Sequence, residues 1–160
     1  MKKTTIACVL AFLVTVLICL NSFGDDKEKF GFYVPKDSEE ICGTWVNTTY
    51  AAGAGYGFYQ KWVLYNWGYW EGYYKLTAEF SDMTGTFILV DKWTDSEGNI
   101  WYKEFVRQRN NPFPSFELDK ISKIGTVWEY VFSYKGSPTA DNMNPKNPYY
   151  RIYYRESDTE

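Results

Sequence analysis

The chain of 160 residues contains no histidine. The side chain that most often serves as general base or metal ligand is therefore absent, and neither a Ser-His-Asp nor a Cys-His arrangement can form. What remains is carboxylate chemistry. Glu104 and Glu129, on the fifth and seventh predicted strands, are the candidates for the facing pair a glycoside hydrolase needs, although each also reads as a solvated strand residue. Asp25-Asp26 and Glu39-Glu40 are adjacent pairs, and adjacent side chains point apart on a strand. Asp91 and Asp95 flank a turn without calcium-loop spacing. No catalytic residue, metal ligand or cofactor is expected, and the chain reads as a non-enzyme.

Aromatic residues dominate instead: 7 Trp, 15 Tyr and 11 Phe. They run together in Tyr56-Gly57-Phe58-Tyr59, Tyr65-Asn66-Trp67-Gly68-Tyr69-Trp70, Tyr73-Tyr74, Tyr149-Tyr150 and Tyr153-Tyr154. Tyr and Trp carry an apolar body with one polar handle. A buried hydroxyl without a partner costs about 1–3 kcal/mol, so an excess of Tyr over Phe favours half-wet walls. Three readings stay open: the lining of a ligand cavity, an outer recognition surface, or the cross-strand ladders of a small barrel.

Residues 1–24 have the pattern of a secretion signal: Lys2-Lys3, an uncharged apolar run from Ile6 to Leu20, then Ser22-Phe23-Gly24 before a charged stretch. Export to the periplasm or the extracellular space follows as an expectation. Cys19 is a candidate for lipid anchoring, although Leu17-Ile18 lacks the usual small residue before it. Residues 25–40 read as a charged tether and 41–156 as one domain. Without the signal, Lys2 and Lys3 drop out, leaving 15 basic residues against 20 acidic ones. An acidic chain without a basic block gives no electrostatic case for nucleic acid. A transmembrane barrel is not expected either, because the predicted strands carry charges on both faces and the chain ends Glu156-Ser157-Asp158-Thr159-Glu160. Cys8 and Cys19 fall in the signal, so Cys42 is left unpaired and is expected to be buried. Asn47-Thr48-Thr49 matches the glycosylation pattern, read as accidental behind a leader of bacterial type.

The elements that must position these side chains are strands. Aromatic and β-branched residues cluster in 41–50, 58–67, 69–80, 84–93, 99–109, 115–121, 126–135 and 149–155, with turn residues between most of them. No stretch has a convincing helical period. Eight strands without room for crossovers describe an all-β antiparallel up-and-down meander, closed into a barrel so that no edge is left exposed; a two-sheet sandwich is the competing architecture. Trp128, Tyr130, Phe132 and Tyr134 share one parity and are taken as facing inward. Residues 136–148 hold Pro138, Pro145 and Pro148 and form a long loop that is either functional or inert.

Gly43-Thr44-Trp45, at the opening of the first strand, resembles the Gly-x-Trp motif of the lipocalins and their shorter bacterial lipocalin-like relatives. The resemblance extends over strand order and spacing from Ile41 to Arg155. It implies that Gly43 and Trp45 close one end of the barrel and that a basic residue of the last strand packs across the indole. Arg151 or Arg155 can take that part, with Arg151 the expected partner. It further implies binding of a small apolar or aromatic ligand, with Trp62, Phe87, Leu89, Trp101, Trp128, Tyr130 and Phe132 as wall residues. The alternative is a surface module whose exposed Tyr and Trp hold a glycan or a partner protein.

Overall fold

A computed structural model describes residues 34–51 and 57–156. The expected signal at 1–24, with Cys19, and the first part of the expected tether lie outside the described residues. Eight strands follow one another: β1 (Gly43–Val46), β2 (Lys61–Tyr65), β3 (Tyr69–Tyr73), β4 (Met83–Thr94), β5 (Ile100–Gln108), β6 (Ser115–Ile121), β7 (Val127–Ser133) and β8 (Tyr150–Arg155). Each pairs antiparallel with the next, and β1 pairs with β8, so the meander closes into a barrel. The sandwich alternative is excluded.

Alternation sorts the side chains. Leu64 and Trp62 on β2, Phe87 on β4, Tyr102, Glu104 and Val106 on β5, Trp128, Tyr130 and Phe132 on β7, and Tyr153 on β8 are all buried, each set at the two-residue spacing of one strand face. The interior is consequently an aromatic stack. Trp62 lies 4.8 Å from Trp70 and 6.0 Å from Trp128, and Trp128 lies 4.8 Å from Tyr130 and 5.8 Å from Trp45, centroid to centroid. Gly85 makes this possible on β4: a Cβ there would sit 2.5 Å from the Trp70 ring and 2.1 Å from the Arg107 carbonyl.

Closure between β1 and β8 is short, covering only Trp45↔Arg155 and Val46↔Tyr154. Beyond it, side chains do the work of a backbone ladder. Asn47 Nδ2 donates to the Ile152 carbonyl at 2.9 Å, and the Ile152 amide donates to the Tyr50 hydroxyl at 2.9 Å. The amide and carbonyl that β1 no longer reaches are thereby satisfied. Asn47 Oδ1 meanwhile accepts from the Thr49 amide and hydroxyl, so the Asn47-Thr48-Thr49 match is a structural turn with a buried asparagine.

One end of the barrel, the base, is covered by a 3-10 helix, Lys36–Ile41, in which Ser38 and Ile41 are buried. Val34 is buried too, and its amide donates to the Asn66 carbonyl; residues 34–40 therefore pack as part of the domain. Trp45 Nε1 donates to the Ile41 carbonyl at 2.8 Å. The guanidinium that lies over Trp45 belongs to Arg155, 4.2 Å from the ring centroid. Arg155 also donates to the carbonyls of Gly125 and Cys42, at 2.9 and 3.0 Å, and to that of Glu40. Gly43, at φ 125°, is required here, since a Cβ would fall 2.7 Å from Arg155 Nη1. The expectation for Arg151 is corrected by strand direction. β8 runs from the opposite end towards the base, and four residues of strand carry Arg151 about 13 Å from Arg155.

Candidate functional site

The opposite end, the mouth, is gathered by the loops β1–β2, β3–β4, β5–β6 and β7–β8. Gly57, at φ 77°, brings its carbonyl into the mouth, where it accepts from Arg151 Nε at 2.9 Å, the Tyr153 hydroxyl at 2.9 Å and the Tyr130 hydroxyl at 3.3 Å. Arg151 also stacks on Phe58, 3.5 Å from Cζ to the ring centroid, and donates to the Pro148 carbonyl at 2.6 Å. This one guanidinium ties the β1–β2 loop to the β7–β8 loop. The latter spans 134–149 and carries a short 3-10 helix, Ala140–Asn142, with a Thr139/Asn142 capping box. Asn144 and Asn147 side chains donate to the Asp141 and Asn142 carbonyls, so asparagines supply its internal order.

Behind the Gly57 latch, Tyr59 inserts into the barrel. It belongs to no strand, yet its exposure is 0 %. Its ring stacks on Tyr74 at 4.9 Å and 21°, meets Trp62 edge-on at 4.9 Å, and lies on Gly72, where a Cβ would come within 2.9 Å. The slot is thus flat-sided: a ring on one side, bare backbone beneath, an indole at its end. The Tyr59 hydroxyl, buried, makes no well-aligned hydrogen bond; burial pushes its phenol well above the usual range, and the charge and close, poorly aligned contact of the Tyr74 hydroxyl add to the shift.

A second polar group sits midway down the barrel. Glu104, Glu117 and Asp119 are buried, and one oxygen of each lies within 4.8 Å of the others. Burial first, and then the charges of Asp119 and Glu117, raise the Glu104 carboxyl well above its ordinary range; burial and Glu117 do the same to Asp119, against a smaller lowering by Trp128. Trp128 Nε1 donates to Asp119 Oδ1 at 2.8 Å, and the Ser115 hydroxyl to Glu117 Oε1 at 3.2 Å. Beside them lies a small space lined by Trp62, Trp70, Phe87, Glu104, Glu117 and Trp128, among others, with about 10 Å³ for the centre of a water-sized sphere. That is room for one water-sized occupant.

Of the expected wall residues, Trp62, Phe87, Trp128, Tyr130 and Phe132 face the interior, and Leu89 packs against it half-buried. Trp101 does not join them. Its neighbour Tyr102 takes the inward position, and Trp101 lies on the outer face, stacked on Trp93 at 5.9 Å and donating from Nε1 to Asp95. Glu104 and Glu129 are not brought together either: Glu129 pairs outside with Lys120 at 3.4 Å and accepts from the Tyr150 hydroxyl. Sequence reasoning missed Tyr59, Glu117 and Asp119. The β6 parity Ser115-Glu117-Asp119-Ile121, polar where an interior face should be apolar, was the available signal for the two acids.

No family model, curated protein or solved structure matches the chain. Among the described residues no helix is long and apolar enough to cross a membrane.

Proposed function

We propose that the chain is an exported, lipocalin-like binding protein for a small molecule with a flat apolar or aromatic body, received in the slot that the Tyr59 ring fills. The observation that carries this reading is Tyr59 itself: a loop side chain, fully buried, whose hydroxyl makes no well-aligned hydrogen bond, in a slot shaped for a planar ring. Ligand sites are mostly apolar with a few polar anchors. Here the anchors are the donors now gathered on the Gly57 carbonyl, namely Arg151 and the Tyr153 and Tyr130 hydroxyls, which a ligand oxygen can claim when the loop withdraws. The closed eight-stranded meander and the Gly43-Trp45-Arg155 closure support the lipocalin-like reading, and the leader pattern at 1–24 supports export.

Tyr59→Ala tests it by emptying the slot. Indole or p-cresol added to the folded variant should raise its melting temperature in a saturable way. At tenfold excess over Kd the stabilisation is about 1.4 kcal/mol. Gly72→Ala in the same background should abolish the effect by filling the floor. A folded Tyr59→Ala variant indifferent to both compounds would refute the slot.

One observation favours a second reading, in which the outer face holds a glycan or a partner protein. Trp67 stacks on Tyr69 at 4.7 Å and 4°, Trp93 on Trp101 at 9°, and Trp67 and Trp93 remain 45 % and 38 % exposed. Trp67→Ala and Trp93→Ala would then weaken attachment while leaving interior binding unchanged.

A further inference from the structure

The three carboxyls in the middle of the barrel have no place in aromatic-ligand binding, and the bonds from Trp128 to Asp119 Oδ1 and from Ser115 to Glu117 Oε1 leave Glu104 Oε1 and Asp119 Oδ2 without a hydrogen bond. We infer that Glu104, Glu117 and Asp119 form a site for a hard divalent cation of calcium's size. Three observations carry it, independently of the slot at the mouth.

The first is spacing. Calcium takes oxygen ligands at about 2.3–2.6 Å, so oxygens on opposite sides of one ion lie roughly 5 Å apart, whereas magnesium, at about 2.1 Å, draws them to roughly 4.2 Å. One oxygen from each of the three side chains lies within 4.8 Å of the other two, inside a single calcium coordination sphere. The second is the pair of orphaned oxygens. Glu104 Oε1 and Asp119 Oδ2 have no hydrogen-bond partner, although the two residues are 97 % and fully buried. Buried polar atoms are rarely left so, and a cation is the partner that serves several carboxylate oxygens at once. The third is room: Glu104 and Glu117 line a small space that holds one water-sized occupant.

Supporting bonds orient the ligands. Trp128 Nε1 holds Asp119 Oδ1 and the Ser115 hydroxyl holds Glu117 Oε1, the outer contacts that fix a metal-binding carboxylate. The ligand set is all oxygen, which suits calcium and disfavours the softer ions that call for thiolate or imidazole. A lone water is the competing occupant. It can bond both orphaned oxygens.

Terbium is the probe, since it takes oxygen ligands of the same size and is excited by nearby indoles. Trp62 and Trp128 line the space. The full chain, stripped with chelator, should give saturable tryptophan-sensitised emission at about one ion per chain, displaced by calcium in preference to magnesium. Calcium should raise its melting temperature. Glu104→Gln and Asp119→Asn should each weaken terbium at least tenfold while keeping a native aromatic circular-dichroism spectrum, and Glu129→Gln, outside the barrel, should change nothing. The competition on the wild-type chain stands alone if the variants do not fold. Emission that never saturates, or that survives Glu104→Gln in a folded protein, overturns the site. So does a chain indifferent to calcium whose melting temperature rises with Glu104→Gln, which would mean that water and protons alone occupy the space.

Discussion

Tyr59→Phe removes one oxygen and nothing else, and the structure fixes the sign of its effect. In an ordinary core the tyrosine hydroxyl is hydrogen-bonded, and losing it costs about 0.5–1.5 kcal/mol. Here the hydroxyl is buried with only a poorly aligned contact to Tyr74, so folding already carries a desolvation cost of up to about 1–3 kcal/mol for that group. The ring contacts with Tyr74, Trp62 and Gly72 are retained. Tyr59→Phe should therefore leave stability unchanged or raise it by up to about 2 kcal/mol, a shift of several degrees in melting temperature for a domain of this size. Tyr59→Ala, by contrast, loses a buried ring worth about 3–5 kcal/mol and regains the hydroxyl term, a net loss of up to roughly 4 kcal/mol. Urea titration followed by tryptophan fluorescence reads both, and the slope should not change. A Tyr59→Phe variant destabilised by more than about 1 kcal/mol would refute the reasoning: the hydroxyl would be satisfied and the slot would be ordinary core.

Other outcomes follow from the same contacts. Arg155→Ala frees three carbonyls and uncovers Trp45, so it should cost about 2–4 kcal/mol in thermal unfolding; Arg151→Ala should mainly raise amide exchange in Gly57–Gln60. Gly85→Ala would drive a Cβ into the Trp70 ring and the Arg107 carbonyl, which overpacking places at about 1–3 kcal/mol or more, measured by chemical unfolding. The Cys42 thiol is pushed up to about 12, chiefly by burial, with Glu104 and Glu39 adding and Arg155 opposing. Cys42 is half-buried rather than buried; alkylation of the native protein at pH 8 should run about two orders of magnitude slower than for a free thiol, the scarcer thiolate being the stronger nucleophile, and equal rates would contradict the shift. The sign for stability is that of a proton held more tightly when folded: the contribution is intact below about pH 8.5 and fades as pH rises towards 12.

The architecture was legible because strand chemistry is local. Each of the eight predicted segments overlaps one strand, and the inward parity of Trp128, Tyr130 and Phe132 stood out in an alternating run, although its last member, Tyr134, lies past the end of β7 and is exposed. The boundaries overran where aromatic residues continue into loops: Tyr74 to Phe80 reads as strand but follows β3 outside the sheet. On β5 both parities carry large rings, Trp101 and Phe105 against Tyr102, and only the neighbouring strands decide that Tyr102 and Glu104 face inward. The Arg151 and Arg155 roles were separable only once the direction of β8 was known. Tyr59 was invisible as a buried group, since nothing in Gly57-Phe58-Tyr59 says that a loop turns back into the mouth. The carboxyl group was half visible. Glu117 and Asp119 share a parity, but Glu104 joins them only through the register that sets it opposite Glu117.

Native mass spectrometry of the protein purified from its producing cell tests the binding account most directly. A small-molecule mass that accompanies the folded chain, vanishes on denaturation and is displaced when indole is added is the predicted result. The mass of the chain alone, together with no retention of indole or p-cresol by the wild-type or Tyr59→Ala protein, would contradict it.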